Sequence, residues 1–243
     1  MLRLLLLALS LCGASAFAQA PDWRTVAPAL PLSAPVTPIT APVAIGGTAW
    51  GGWRRLCREQ WERLDRTPRR DCLNVAAVER DTRARATRLI LAPEALRGER
   101  LAALRRDDGG IASFTHDPPD AERDGALVPW RRQFESWSLT ARRIAPGVTF
   151  ELPVPESPRG VTCRAEGLSR IEARQVLVAL CAVELAGRLG NTGQEARIAM
   201  AGRIAIDLPT AMILAQGYAS RIETFAGGRS NGVVVTAARH WLE

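Results

Sequence analysis

The sequence predicts an α+β fold: an extended N-terminal proline-rich arm, a small helical part and a C-terminal antiparallel β-meander that forms a curved sheet. Three patterns predict it: prolines recur early, apolar residues then recur at helical spacings, and apolar and polar residues alternate after about residue 130. The helices and the sheet are expected to form one compact unit, and two loosely joined domains are the alternative. The expected segments are an export signal at 1–18, the arm at 19–48, an arginine-rich helical part at 49–125 and the sheet at 126–243.

The first eighteen residues have the pattern of a secretory signal peptide. Arg3 supplies a positive start, Leu4–Leu11 an apolar run, and Ala16-Phe17-Ala18 a small-x-small cleavage motif. The apolar run is too short to span a bilayer as a mature helix. We therefore expect cleavage after Ala18, no transmembrane segment in the mature chain, and a periplasmic or secreted bacterial protein.

The arm at 19–48 contains six prolines, from Pro21 to Pro42. Proline at this density excludes a helix and favours extended or polyproline-II backbone. Such a segment acts as a semi-rigid tether or lies along the surface of its own domain. A strip that docks a partner protein is the alternative.

The helical prediction depends mainly on apolar residues spaced 3, 4, 4 and 3 apart, with Thr67-Pro68 expected to end the helix. Further helices are expected over 73–86 and 93–106, with a short strand at Arg88–Leu91 between them. The polar segment 107–125 is expected to be a surface loop. The apolar residues whose spacing predicts the first helix are Trp50, Trp53, Cys57, Trp61 and Leu64.

Alternation of apolar and polar residues predicts the sheet, most clearly over 197–208. Turns are expected at 191–193 and 209–211. The segment 171–185 fits either a buried strand or a buried helix, and its valines favour the strand. Other strands are expected at 148–154, 212–225 and 233–241.

Cys12 leaves with the signal, so an exported mature chain keeps four cysteines. An even number in an oxidising compartment predicts two disulfides. Of the three possible pairings, the local ones, Cys57–Cys72 and Cys163–Cys181, are favoured. A four-cysteine metal site is disfavoured because no C-x-x-C pair occurs, and neither a metal nor a cofactor is expected.

All 32 basic residues are arginine, and the chain has no lysine. Schiff-base chemistry and P-loop phosphate binding are therefore excluded. Between Trp53 and Arg106 there are fifteen arginines and eight acidic residues, which accounts for the whole net charge of +7. This basic excess predicts a surface for an envelope protein or an anionic envelope component, with nucleic acid disfavoured by the compartment. The alternative is a set of solvated helix faces. The candidate binding arginines, which lack a helical ion-pair partner, are Arg54, Arg55, Arg69, Arg70, Arg105 and Arg106.

His116, Asp117 and Asp120 form a compact polar cluster in the 107–125 segment. A histidine beside carboxylates is a weak candidate for a general acid–base pair or a metal site. The spacing matches no hydrolase or metal motif, so a solvated loop is the simpler interpretation.

Together these patterns favour an exported bacterial cell-envelope protein of non-enzymatic type. It would bind a partner protein or an anionic or apolar envelope ligand. One alternative is a hydrolase that uses His116 with Asp117 or Asp120. Another is a structural or assembly factor that acts through the arm at 19–48.

Overall fold

A computed structural model describes residues 22–47, 50–95, 98–152, 160–189 and 194–243. The predicted signal peptide at 1–18 and the predicted turn at 191–193 lie outside the described residues. So does the end of the predicted strand at 148–154.

The described chain is almost entirely β, with one α-helix, α1 (Val128–Glu135), and short 3₁₀ helices at Trp23–Val26 and Asp124–Leu127. The strands are β1 (Val43–Ile45), β2 (Arg55–Trp61), β3 (Arg69–Asp81), β4 (Ala86–Pro93), β5 (Leu101–Arg106), β6 (Ile111–His116), β7 (Arg142–Ile144), β8 (Thr149–Leu152), β9 (Val161–Ile171), β10 (Arg174–Leu189), β11 (Gln194–Asp207), β12 (Ile213–Ala226) and β13 (Arg229–Leu242).

Eleven of these strands form one antiparallel sheet, in the spatial order β6-β5-β4-β3-β2-β13-β12-β11-β10-β9-β8. It consists of two meanders, an N-terminal one from β2 to β6 and a C-terminal one from β8 to β13. The pairing of β2 with β13 joins the two meanders, so the first and last strands of this sheet in chain order are neighbours. Strands β1 and β7 form a separate two-stranded sheet.

The α+β prediction with a helical part at 49–125 is therefore wrong. The residues that suggested the first helix lie in β2 and in the segments on either side of it. Cys57 and Trp61 are four residues apart, and this spacing places two side chains on one face of a strand as well as of a helix. Trp50 and Trp53 precede the strand, and Leu64 is an exposed residue of the following turn.

The other expected helices are also strands. Residues 73–81 belong to β3, and 101–106 form β5. The predicted short strand at Arg88–Leu91 is confirmed within β4, and the predicted loop at 107–125 contains β6.

The C-terminal meander is confirmed. The long alternating segment is β11, the two strands expected after it are β12 and β13, and the ambiguous segment at 171–185 forms strand β10 for most of its length. Alternating apolar and polar residues gave β11 a readable period of two, although its last four residues, Ile204–Asp207, are all buried.

The core is continuous across the two meanders. Phe134 of α1 and the following Trp137 pack in one cluster with Leu89 of β4 and Val178 of β10. Helix α1 therefore ties the N-terminal meander to the C-terminal one.

The described part of the arm, residues 22–47, packs against the C-terminal meander. The Thr37 backbone exchanges two hydrogen bonds of 2.8 Å with Leu168, and the Ser33 amide donates to the Arg170 carbonyl at 2.9 Å. A Cβ added to Gly217 would lie 1.9 Å from the Pro28 carbonyl oxygen, so the arm lies directly on β12 at this point. Its prolines fit because an extended segment on a surface needs few backbone donors.

Both predicted disulfides are confirmed, Cys57–Cys72 and Cys163–Cys181. Each joins residues directly opposite one another on adjacent antiparallel strands, with Cα atoms 4.2 and 4.0 Å apart. Each meander therefore carries one cross-strand disulfide, consistent with an oxidising, extracytoplasmic location. In the described ranges no helix has the length and apolar character to cross a membrane.

Candidate ligand cavity

His116, the weak catalytic candidate, is buried at the end of β6, where its partner is Asp124. The His116 ring atom Nδ1 lies 2.8 Å from Asp124 Oδ1, and the His116 amide donates to the same oxygen at 2.8 Å. These two hydrogen bonds, the backbone one first, hold the pKa of Asp124 below its ordinary value. The Nε2 atom lies 3.9 Å from Glu99 Oε2, so both ring nitrogens face carboxylates, an arrangement that fixes the ring.

The structure does not bring the other two members of the predicted cluster to this ring. Asp117 pairs with Arg88 at 2.7 Å and with Arg100 at 3.6 Å. Asp120 accepts hydrogen bonds from the following turn, including the Arg123 amide at 3.2 Å. Neither carboxylate is within ion-pair distance of His116.

Arg105, one of the six candidate binding arginines, is buried. Its Nε donates to Ser138 Oγ at 2.9 Å, and its Nη2 donates to the Thr210 carbonyl. Burial lowers the pKa of Arg105 to about 10, which leaves it charged at neutral pH. It therefore bridges β5 to the β11–β12 turn and to the segment after α1.

The other five candidates lie at or near the surface, and two of them share one carboxylate. Arg55 and Arg70 both reach the Glu243 carboxylate, at 3.8 and 3.5 Å, and Arg55 also pairs with Glu94 at 2.5 Å. Arg54 is exposed and makes no ion pair with any described residue. The two remaining pairs are Arg69–Asp71 and Arg106–Asp108, both at 3.3 Å.

A cavity of about 750 Å³, which we call the arm cavity, lies between the arm and the C-terminal meander. Its walls come from the arm, the segment before β2, the β9–β10 turn, the start of β12 and the end of β13. The lining residues are Ala29, Leu30, Pro31, Gly52, Trp53, Ile171, Glu172, Arg174, Leu214, Ala215, Gln216, Arg239, His240, Trp241, Leu242 and Glu243.

Paired tryptophans and arginines dominate the chemistry of this lining. The Arg174 guanidinium lies 4.7 Å from the centre of the Trp53 ring, and that of Arg239 lies 5.2 Å from the Trp241 ring. Each guanidinium is also held by a hydrogen bond: Arg174 donates to the Gly51 carbonyl at 2.5 Å, and Arg239 to Glu59 at 2.6 Å. Because a guanidinium has five N–H donors, both retain donors for a ligand.

His240, also in the lining, adds no charge at neutral pH. The Trp137 indole Nε1, which can only donate, hydrogen-bonds to His240 Nδ1 at 3.0 Å, so the neutral ring carries its proton on Nε2. Burial lowers the pKa of His240 to about 3, with a smaller contribution from the charge of Arg58. The positive charges of the lining are therefore the two arginines, and its carboxylates are those of Glu172 and Glu243.

No local sequence signal identified this cavity. Arg174, Arg239 and Trp241 stand in strands whose side chains alternate without any motif, and the fold brings them to Leu30 of the arm. Trp53 is buried in the core, and its position in the cavity wall was not predicted.

In the parts of the chain that the structure describes, no group of three or more His, Cys, Asp or Glu side chains could hold a metal ion.

No protein-family model matches the chain, and no curated protein is significantly similar to it.

Proposed function

We propose that this chain is a non-enzymatic binding protein of the bacterial cell envelope. Its ligand occupies the arm cavity and has an apolar body and a single acidic group. The observation that carries the proposal is the combination in one concave site of two tryptophan rings with two arginines stacked on them. Export is supported by the two disulfides and by the signal-like sequence at 1–18.

The volume of the arm cavity suits a small-molecule ligand. Ligand sites in proteins measure roughly 300–1,000 Å³ and combine mainly apolar walls with a few placed polar groups. The arm cavity, at about 750 Å³, falls within this range. Leu30, Leu214 and Leu242, together with the tryptophans, provide apolar walls for the body of the ligand.

The charges of the lining favour one acidic group over several. Arginine is suited to carboxylate, sulfonate or phosphate groups because its planar N–H donors match two oxygens at once. The lining contains two arginines and two carboxylates, Glu172 and Glu243, so its charged side chains sum to zero. A polyanion would meet these carboxylates, whereas one acidic group can lie beside an arginine.

The first experiment is a fluorescence titration with 1-anilinonaphthalene-8-sulfonate, a ring compound with one sulfonate. Ala29 is exposed and lines the cavity, so Ala29→Trp should fill part of it without disturbing the core. Ala41→Trp is the matched control, because Ala41 is an exposed arm residue outside the lining. We expect saturable binding that Ala29→Trp weakens about tenfold or more, equivalent to about 1.4 kcal/mol, and that Ala41→Trp leaves unchanged.

A second pair of variants tests the acidic group. The double variant Arg174→Gln/Arg239→Gln should weaken binding and remove its salt dependence, whereas Arg164→Gln, on an exposed residue outside the lining, should not. Equal unfolding midpoints without the probe show that the variants are folded. Equal weakening by Ala29→Trp and Ala41→Trp would contradict the proposed site, and an unchanged affinity in the double variant would contradict the acidic group.

A further inference from the structure

The two arginines of the arm cavity differ in how far the protein already uses their charge and their N–H donors. Arg239 lies on β13 opposite Glu59 of β2, and its Nε and Nη2 atoms are both 2.6 Å from Glu59 Oε2. Glu59 is buried, so one carboxylate takes two donors of the guanidinium in a partly buried ion pair. The charge of Arg239 is therefore balanced within the wall of the cavity.

Aromatic rings also fix Arg239 in place. Its guanidinium carbon lies 5.8 Å from the centre of the Trp61 ring and 5.2 Å from that of the Trp241 ring. The Trp241 indole donates to the Glu243 carboxylate at 2.7 Å, so a second carboxylate lies at this end of the cavity. An acidic group that approached Arg239 would therefore meet Glu59 and Glu243, which repel it.

Arg174, the first residue of β10, has no carboxylate within hydrogen-bond distance in the described part of the chain. Its Nη1 atom lies 3.8 Å from Asp207 Oδ1, which is within ion-pair distance but too long for a hydrogen bond. The other oxygen of Asp207 accepts from Thr210, from the hydroxyl at 2.5 Å and from the amide at 3.3 Å. Arg174 gives one Nη2 donor to the Gly51 carbonyl at 2.5 Å. Its other four N–H groups have no acceptor among the described residues.

The guanidinium of Arg174 is nevertheless held in place, by the ring beneath it and by the backbone. It lies 4.7 Å from the centre of the Trp53 ring, which is buried. Trp50 fixes that ring, since the two indoles meet edge to face at 5.2 Å and the Trp50 indole donates to the Trp53 carbonyl at 3.1 Å. A Cβ on Gly51 would overlap the Trp53 ring, so the residue whose carbonyl holds Arg174 has no room for a side chain. Arg174 therefore offers free donors from a fixed position, which lowers the entropic cost of binding a ligand.

We propose that Arg174 binds the acidic group of the ligand, whereas Arg239 supports the wall of the cavity and takes no part in this contact. The inference rests on the proposed function, because it names the residue that gives the arm cavity its preference for an acid. The free donors of a planar guanidinium suit a carboxylate or a sulfonate, since two oxygens of either group can accept two parallel N–H bonds.

The test compares two fluorescent probes that share one ring system. The first is 1-anilinonaphthalene-8-sulfonate, and the second is N-phenyl-1-naphthylamine, which lacks the sulfonate. Arg174→Gln should weaken binding of the sulfonate probe at least about tenfold and remove its salt dependence. Binding of the uncharged probe should stay unchanged, because it makes no contact that needs the guanidinium.

Glu59→Gln/Arg239→Gln is the matched control. It removes the other stacked arginine of the lining together with its ion-pair partner, so no buried charge is left unpaired. We expect it to change the affinity for either probe by less than about twofold. Arg164→Gln, on an exposed residue outside the lining, controls for the loss of one positive charge. Near-ultraviolet circular dichroism shows that each variant is folded before it is compared.

An unchanged affinity for the sulfonate probe in Arg174→Gln would overturn the inference. So would an equal loss in the control variant, or equal weakening of both probes by Arg174→Gln, which would make Arg174 a part of the wall. In each of these cases a parent protein that binds the sulfonate probe more tightly than the uncharged one leaves the proposed function standing. A parent protein that binds neither probe would refute the proposed function and the inference with it.

Discussion

The N-terminal and C-terminal meanders are both antiparallel and both carry a cross-strand disulfide, but most of their strands differ in length. Strands β10 to β13 have 14 to 16 residues, and the arm covers part of them. In the N-terminal meander β3 has 13 residues, but β2 has seven, β4 eight and β5 and β6 six each, and β2, β3, β4 and β5 contain arginines. Arginine can occupy half-buried strand positions where it stacks on tryptophan or pairs with a carboxylate, as Arg70 does with Trp241 and Glu243. A strand with arginine at such positions lacks the regular alternation of apolar and polar residues that predicts strands from sequence.

The largest effect should come from the helix that both meanders share. Phe134 is fully buried in the cluster that joins them, so Phe134→Ala should lower the free energy of unfolding by about 3–5 kcal/mol. Urea unfolding followed by tryptophan fluorescence and by circular dichroism measures it. Both signals should change in one transition, and two separate transitions would show that the meanders fold independently.

Removing each disulfide in turn compares how much the two meanders depend on their cross-links. The linked cysteines are 15 and 18 residues apart, and loop entropy varies slowly with length, so each bond should contribute about 3 kcal/mol. We expect Cys57→Ala/Cys72→Ala and Cys163→Ala/Cys181→Ala to lower the free energy of unfolding by similar amounts. A large difference in urea unfolding would show that one meander depends on its disulfide more than loop entropy predicts.

Arg105 and Arg106 are adjacent in β5, but the first is buried and structural, whereas the second lies on the surface. Arg105→Met leaves the Thr210 carbonyl and Ser138 without their donor and should cost about 2–3 kcal/mol. Arg106→Met removes only an exposed ion pair with Asp108 and should change the free energy of unfolding by less than about 0.5 kcal/mol. Thermal unfolding of the two variants measures the contrast. Equal losses would contradict the bridging role of Arg105.

The buried histidine of β13 should make stability depend on pH. Its pKa is lowered from 6.5 to about 3 in the folded protein, so the unfolded chain binds more protons between these values. His240 therefore contributes full stability above pH 6.5 and loses it as the pH falls towards 3, by up to about 1.4 kcal/mol per pH unit. His240→Asn keeps an acceptor for Trp137 without a titrating group. Urea unfolding between pH 7 and pH 5 should show a smaller loss in this variant than in the parent, and equal slopes would contradict the assignment.

A further contrast concerns the arm, which packs against the C-terminal meander. Gly217→Ala would bring a Cβ against the Pro28 carbonyl and should lower the free energy of unfolding by about 1–3 kcal/mol. Gly187→Ala in β10 is the control, because an added Cβ there meets nothing within 4 Å. Limited proteolysis should cleave the arm faster in Gly217→Ala alone. Equal cleavage in both variants would show that the arm does not depend on this contact.

How much could be predicted from sequence differs between the fold and the site. Regular alternation over 197–208 identified β11 and its neighbours, and the even cysteine count with local pairing identified both disulfides. The spacing of Cys57 and Trp61 fits both a helix and a strand, so it could not decide between them. The partner of His116 is Asp124, eight residues away across a turn, and no periodicity connects the two.

By itself the sequence determined the β-meander of the C-terminal half, the extended arm and the disulfide pairs, because alternation, proline and cysteine act locally. The pairing of β2 with β13 was decided only by the tertiary structure, since it joins residues about 180 positions apart. That pairing places the end of β13 beside the segment before β2, and the packing of the arm over β12 completes the cavity. Side chains such as Leu30, Arg174 and Trp241 acquire a common role only after the backbone has brought them together.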